Sequence, residues 1–504
     1  MSQEAGVVME CKVAHHDQDR VFERIFHPRA VAVIGVSTQA AGFGSGIMDA
    51  LRAIGFPGAL YGVNPKGGTF RGMRLFTSLA EIPEPVDLAV IAVPAGYVPE
   101  ALEECRRRGV AGAEILSAGF SETGTHQGGA LEEEIRRISA RGIRVVGPNC
   151  FGIYCPKSGL TLLPGPDLSR ESGHVGFLSQ SGGMSIDFAH IGKWMGVRFS
   201  KVISFGNGVD LRETELLDYL GRDPETRVIA MYMEGVDDGR EFFRVLRDVA
   251  ARKPVIINKG GLSEAGSRAV ASHTASMGGS RVIWESALRQ AGAVQVGDLW
   301  ELAQTCLAFS LLPWQVYRGI SVAGGGGALG VSAGDLAERY GLSLPAFDDE
   351  MSSRILEVLP RPGSSARNPV DAANPFVGPD AFRHVFTHAG SDARIDAQVL
   401  IQLLHHYKSA ALSLGVEAVR TITPYEQQAQ ALADAREATG KPAILVMPDF
   451  KQGKESLDIE ELIRDAREAF LGRGIPVFSD LGDAMRALSH VSAYAARRKA
   501  LKEA

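Results

Sequence analysis

Residues 30–35 read AVAVIG, a short apolar run closed by glycine. Such a run is long enough for a buried strand and too short for a helix. Val36–Gly46 then makes a turn of small residues, and a helical pattern continues through Ile54. A buried strand, a glycine-containing turn and a helix form the repeating unit of a parallel sheet. The unit recurs downstream. Gly58–Val63 and Val86–Val93 (VDLAVIAV) read as strands, Pro99–Arg108 as a helix, Gly112–Leu116 as a strand, Leu131–Arg141 as a helix and Ile143–Val146 as a strand. The expected class is α/β, with ligands beyond the carboxyl ends of the strands of an open, doubly wound sheet.

The same grammar is written twice more. Gly173–Leu178 (GHVGFL) runs into Ser179-Gln180-Ser181-Gly182-Gly183 and a helix from Met184 to Met195, with strands following at Ser200–Phe205, Val228–Met233 and Pro254–Asn258. Pro313–Arg318 reads as a linker. Ile320–Ala323 then meets four glycines, Gly324–Gly327, before a helix from about Ala328 to Tyr340. Further strands are expected at Gln398–Leu404, Pro442–Met447 and Ile475–Phe478. Thr423 is placed to cap a helix running from Pro424 to about Thr439, with Glu426 completing a capping box. Three consecutive open-sheet domains follow from this pattern, over 20–155, 156–312 and 318–504.

Composition narrows the function. A chain of 504 residues has length for roughly three domains. With 45% hydrophobic and 22% charged residues it can build ordinary cores, which excludes general disorder. Basic residues number 53 and acidic residues 59, a net charge of -6, so no polybasic nucleic-acid surface is expected. The 58 glycines have no collagen period and cluster after apolar runs, as turns between strands and helices do. Five cysteines, Cys11, Cys105, Cys150, Cys155 and Cys306, are too few for a disulfide scaffold. Cys150 and Cys155 lack a second pair, so no metal site is expected. The opening MSQEAGVVMECKVAHHDQDR has no apolar segment behind a basic one, and no apolar stretch reaches the length of a membrane span. The expectation is a cytoplasmic protein with neither membrane nor nucleic acid as partner.

The chemistry lies at the strand ends. The turn after Gly35 is not a strict GxGxxG, and the next strand ends in Gly62-Val63-Asn64-Pro65-Lys66. A dinucleotide enzyme wants a carboxylate there for the ribose hydroxyls. A lysine beside a glycine-containing turn suits a phosphorylated nucleotide, and a solvated surface lysine accounts for the residue equally well. Ser181, Gly182 and Gly183 offer exposed N–H groups at a helix start, an anion site without Walker A spacing. Lys259–Gly279 reads as a small-residue loop carrying His273. A histidine nucleophile needs that access and a group to orient its other nitrogen. Glu234, at the end of the strand Val228–Met233, is the candidate. A surface histidine and an ordinary strand-end carboxylate remain the alternatives. His405 and His406 are adjacent, so they are expected to point to different sides of their element and not to share an ion.

Three groups of motifs, taken in order, resemble the nucleoside-diphosphate-forming acyl-CoA synthetases, which include succinyl-CoA synthetase and the ADP-forming acetate–CoA ligases. Ala30–Ser37, Tyr61–Lys66, Ile91–Pro94 and Gly147-Pro148-Asn149 resemble the CoA-binding domain. Gly173–Gly183, Ser204–Asp210 and Lys259–Gly279, with its Ser272-His273-Thr274, resemble the second domain. Val322–Leu342 with Asn368–Asp371 resembles the additional domain of the acetate–CoA ligase α subunits. The likeness covers roughly residues 20–495 and rests on the order and spacing of the motifs.

The resemblance implies a Rossmann-like CoA-binding domain followed by two flavodoxin-like domains. It implies that His273 is transiently phosphorylated, that Glu234 hydrogen-bonds and stabilises it, and that Ser181, Gly182 and Gly183 receive phosphate. Gly35, Ser37, Lys66, Val93 and Pro94 would form the CoA pocket, with Asn149 beside it. The implied reaction joins a small carboxylic acid to CoA at the expense of ATP, through a phosphohistidine and an acyl phosphate, releasing ADP and phosphate. No ATP-grasp domain is found in the chain. ATP and Mg²⁺ would therefore bind mainly on a separate β subunit, in an α2β2 assembly. Two departures stand out: Ala275 where the family usually has glycine, and Ser321-Val322-Ala323-Gly324 where it has an asparagine-containing turn. The alternative is a catalytically inactive CoA- or acyl-CoA-binding regulatory protein of the same fold. An NAD-dependent oxidoreductase is the third reading, and Lys66 speaks against it.

Overall fold

The structure is a computed structural model that describes residues 17–38, 42–163, 165, 167–274 and 280–503. It contains three mainly parallel sheets with helices. The first holds β1 (Ala30–Ile34), β2 (Ala59–Val63), β3 (Thr69–Phe70), β4 (Met73–Phe76), β5 (Leu88–Ile91), β6 (Gly112–Ile115) and β7 (Arg144–Val146), in the order β3-β4-β2-β1-β5-β6-β7. Strand β1 pairs in parallel with β2 on one side and β5 on the other, so the order in which strands are added reverses across it. Such a switch point opens a crevice at the carboxyl edge. Every residue of β1, β5 and β6 is buried, as expected of strands covered on both faces.

The second sheet holds β8 (Gly152–Tyr154), β9 (Val175–Ser179), β10 (Phe199–Ser204), β11 (Val228–Met233), β12 (Val255–Lys259) and β13 (Val294–Val296), in the order β13-β12-β11-β9-β10-β8. Short β8 pairs antiparallel with β10, so this sheet begins before residue 155. The two sheets are stitched together along the backbone. Asn207, Val209 and Leu211 donate N–H bonds of 3.0, 3.0 and 3.1 Å to the carbonyls of Pro148, Gly147 and Val145. Arg144 adds a fork onto Asp210 and Glu215 at 2.7–3.1 Å. The helix over residues 17–26 packs Phe22 and Phe26 on Tyr219, with centroids 4.3 and 5.0 Å apart. One apolar cluster therefore runs from Phe22 through both sheets to Ala291.

The chain divides into two compact units, 1–303 and 304–504. The helix Leu299–Leu311 crosses that boundary ahead of the expected linker. The second unit carries β14 (Ile320–Gly324), β15 (Ser365–Ala366), β16 (Val370–Asp371), β17 (Ala397–Ile401), β18 (Ala443–Val446) and β19 (Val477–Phe478), in the order β15-β16-β14-β17-β18-β19. Its core is its own.

Three local expectations are corrected. Thr423 caps nothing: its hydroxyl donates to the Val419 carbonyl at 2.9 Å, and the helix Tyr425–Thr439 begins after Pro424 without a side-chain cap. The preceding helical turn, Val419–Ile422, captures the hydroxyl first. The stretch before His273 is no loop, since Glu264–Thr274 is helical. His405 and His406 do not point apart: their ring centroids lie 4.2 Å from each other, because the pair sits at the turn opening the helix His406–Leu414 and not within a strand. Among the described residues no helix is long and apolar enough to cross a membrane.

Candidate active site

The expected CoA residues all lie at the carboxyl edge of the first sheet. Gly35 follows β1 with φ +103°, and a Cβ there would stand 2.5 Å from the Ala92 carbonyl oxygen. Only glycine fits that approach. The helix Phe43–Ile54 comes equally close, since a Cβ on Gly44 would meet the Gly35 oxygen at 2.4 Å. The Ser37 N–H donates to Ser45 Oγ at 3.1 Å. Asn64 Nδ2 donates to the Val36 carbonyl at 2.7 Å, and Asn64 Oδ1 accepts the Lys66 N–H at 2.9 Å. Asn64 thus ties the β1 turn to the β2 turn and leaves the Lys66 side chain exposed. Val93 is half-buried and Pro94 exposed after β5. The Val93 carbonyl accepts the Ser117 hydroxyl, and the Ser117 carbonyl accepts the Asn149 N–H at 2.9 Å. A continuous hydrogen-bonded rim therefore leads from Val93 to Asn149.

Asn149 has φ +56° and turns its side chain to the second sheet, where Nδ2 donates to Asn207 Oδ1 at 3.3 Å. Asn207 Nδ2 in turn donates to Glu122 Oε2 at 2.6 Å and Glu132 Oε2 at 2.9 Å. The carboxyl edges of the two sheets meet at this network. The helix Glu264–Thr274, which contains His273, packs against the turn Ser121–Thr123 beside it. Residues 275–279, including Ala275, lie outside the described residues.

The expected phosphate site lies on the second sheet. Ser181 caps the helix Gly182–Met195 by accepting the Met184 N–H at 3.4 Å. Gly182 is half-buried and Gly183 exposed, and almost nothing stands near the place a Gly183 Cβ would occupy. Open N–H groups at the positive end of a helix attract an anion. Glu234, 6% exposed, stands one strand away beyond β11. Gln180 joins the two, its Oε1 accepting the N–H groups of Glu234 and, at 3.0 Å, Gly235. Tyr232 donates to Glu234 Oε1 at 3.2 Å, which fixes the carboxylate. Ser181–Gly183 and Glu234 are thus brought together, with Gln180 a linking residue that sequence reasoning missed. Its signal was its place between the strand and the helix-capping serine.

In the second unit, the glycine turn Gly324–Gly327 and Asp371 line a cavity of about 270 Å³. Asp371 Oδ1 accepts the N–H groups of Gly326 at 3.2 Å and Ala373 at 2.8 Å. A carboxylate therefore already engages the start of that helix. Among the described residues no group of three or more His, Cys, Asp or Glu is placed to hold a metal ion.

Residues 29–156 match the family described as CoA binding domain, and residues 172–309 match the succinyl-CoA ligase like flavodoxin domain. The chain is 37% identical to the α subunit of the Pyrococcus furiosus ADP-forming acetate–CoA ligase I, over 69% of this chain and 76% of that one. The chain belongs to the ADP-forming acyl-CoA synthetase family. The acetyl-coenzyme A synthetase 1 of Ca. Korarchaeum cryptofilum, solved in complex with phosphate and ADP, aligns over 95% of this chain and 98% of its own, at 30% identity and a TM-score of 0.78. The ADP-forming acetate–CoA ligase I of Archaeoglobus fulgidus is 37% identical over 94% of this chain. The chain spans only 63% of that relative's length. For a member of the acyl-CoA synthetase family, the expected fold is in place: α/β sheets with a CoA-binding domain leading into a flavodoxin-like one.

Proposed function

We propose that this chain is the α subunit of an ADP-forming acyl-CoA synthetase, making acyl-CoA, ADP and phosphate from a small carboxylic acid, CoA and ATP. One observation carries the reading: the glycine-turn edge of the first sheet and the Ser181–Glu234 edge of the second adjoin at Asn149 and Asn207, beside the helix that contains His273. Two half-sites at adjoining edges suit a relay between a phosphorylated group and a nucleotide-bearing thiol.

In that relay His273 accepts the γ-phosphoryl group of ATP, and Glu234 orients and stabilises the imidazole. The phosphoryl group passes to the carboxylate of the acid, freeing the histidine and forming an acyl phosphate. The CoA thiolate attacks the acyl carbon, the C–O bond to phosphate breaks, and the thioester remains. Ser181, Gly182 and Gly183 compensate the phosphate charge throughout. Gly35, Ser37, Lys66, Val93 and Pro94 shape the CoA pocket, with Lys66 suited to its phosphates and Asn149 beside it, a task of positioning. The glycine turns suit such a ligand, because without side chains at Gly35 and Gly44 the β1 turn and the helix Phe43–Ile54 can approach each other closely at the rim. ATP and Mg²⁺ belong to a separate ATP-grasp β subunit in an α2β2 assembly, as the P. furiosus relative's description as a subunit α supports. The reading includes a cytoplasmic location and domains over 20–155, 156–312 and 318–504.

The test is phosphoryl transfer. The chain, a matched ATP-grasp partner, Mg²⁺ and γ-labelled ATP should give an acid-labile, base-stable adduct that H273A lacks and that a carboxylic acid plus CoA discharges. Absence of label on the wild-type chain with a competent partner would sink the relay and leave the CoA-binding regulatory protein as the reading.

A further inference from the structure

Lys259 ends β12 and is only 5% exposed, yet it takes no part in the relay above. Burial drags the pKa of its ammonium down to about 8, against the pull of the nearby Glu234 charge. Burying a lysine is costly, and a methionine would fill the same space more cheaply. Its contacts explain what the charge is for. Nζ donates to the backbone carbonyl of Glu234 at 2.8 Å and to the carbonyl of Gly260, and it stands 4.9 Å from the centroid of the Trp284 ring. A cation over an indole face is itself an attractive contact.

These three partners lie on three separate stretches of chain. Glu234 directly follows β11. Gly260 begins the path into the helix Glu264–Thr274. Trp284 belongs to the next helix, Arg281–Ala291. The chain that carries His273 therefore leaves at one contact of the ammonium and returns at another, while the third holds the backbone of Glu234. Neutral Gly260 is fixed from the other side as well: its N–H donates to the Met233 carbonyl at 2.9 Å.

We propose that Lys259 is a positioning residue for phosphoryl transfer: it pins both ends of the histidine-bearing segment to the backbone of Glu234. The inference rests on the acyl-CoA synthetase reading. It is tested with K259M, which keeps the bulk and removes the charge, and K259R, which keeps the charge. With the ATP-grasp partner, K259M should slow labelling of His273 by about tenfold or more, the scale on which small misplacements act. CoA affinity should stay unchanged and K259R should recover much of the rate. In the full chain alone, amide hydrogen exchange over 260–291 should quicken in K259M and slow again in K259R, while the first sheet is unaffected. Wild-type labelling rates in K259M, unchanged exchange over 260–291, or an equal loss in K259R would each overturn the proposal. Should K259M not fold, K259Q is read in the same way. Failure of the wild-type chain to label would strike the synthetase reading instead, and the exchange comparison would still decide whether Lys259 pins the segment.

Discussion

At the scale of the residue, Glu114 is the clearest stored cost. It lies on β6, 2% exposed, and burial lifts its carboxyl to about 8. Gly152 makes the room, since a Cβ there would stand 2.3 Å from Glu114 Oε2. A folded-state pKa above the unfolded value of 4.5 means that the folded chain binds the extra proton. Its contribution is present below the unfolded value and is lost as pH rises to the folded one, at roughly 1.4 kcal/mol per unit. Thermal melts of wild type and E114Q from pH 5 to 9 should therefore diverge up to about pH 8 and run parallel above it, with E114Q gaining. Parallel curves throughout would show that the carboxyl ionises freely in the fold. Lys201 shows the opposite solution: wholly buried, it is paired with Asp223 at 2.9 Å and Glu225 at 2.7 Å.

At the scale of the element, the start of the helix Phe43–Ile54 is a test of the CoA rim. Its Gly44 presses on the Gly35 oxygen, so a methyl group must push the helix off the β1 turn. G44A should cost about 1–3 kcal/mol in denaturant unfolding, as overpacking does, and weaken CoA binding by at least about tenfold in calorimetric titration. A variant binding CoA normally would remove this turn from the pocket. The strands at this scale were legible because they are buried on both faces and read as unbroken apolar runs, as AVAVIG does. The helix Glu264–Thr274 was not. Its sequence, EAGSRAVASHT, has one large aliphatic residue, Val270, so no 3.6-residue period shows. A signal was nonetheless present in Ser263, whose hydroxyl accepts the Gly266 N–H at 3.0 Å as a helix-start serine does. Strands β3 and β8 were missed because two or three residues at a sheet edge carry no period at all. Gln180 and Lys259 escaped because their roles depend on which strands lie side by side, which spacing along the chain does not encode.

At the scale of the whole molecule, two compact units with separate cores should unfold as two events. Scanning calorimetry should resolve two transitions, and saturating CoA should raise only that of residues 1–303, by about 2.7 kcal/mol at a hundredfold excess over Kd. A single transition, or a CoA shift in the other one, would contradict that division. The backbone bonds from Asn207, Val209 and Leu211 to residues 145–148 have a further consequence. They couple the two sheets through the main chain and not through side chains alone. In the proposed relay, where a thiol comes from one side and an activated acyl group from the other, this joint would set the gap between them. On that proposal, slippage along the joint should surface as wasted ATP, an acyl phosphate surrendered to water before sulfur can reach it.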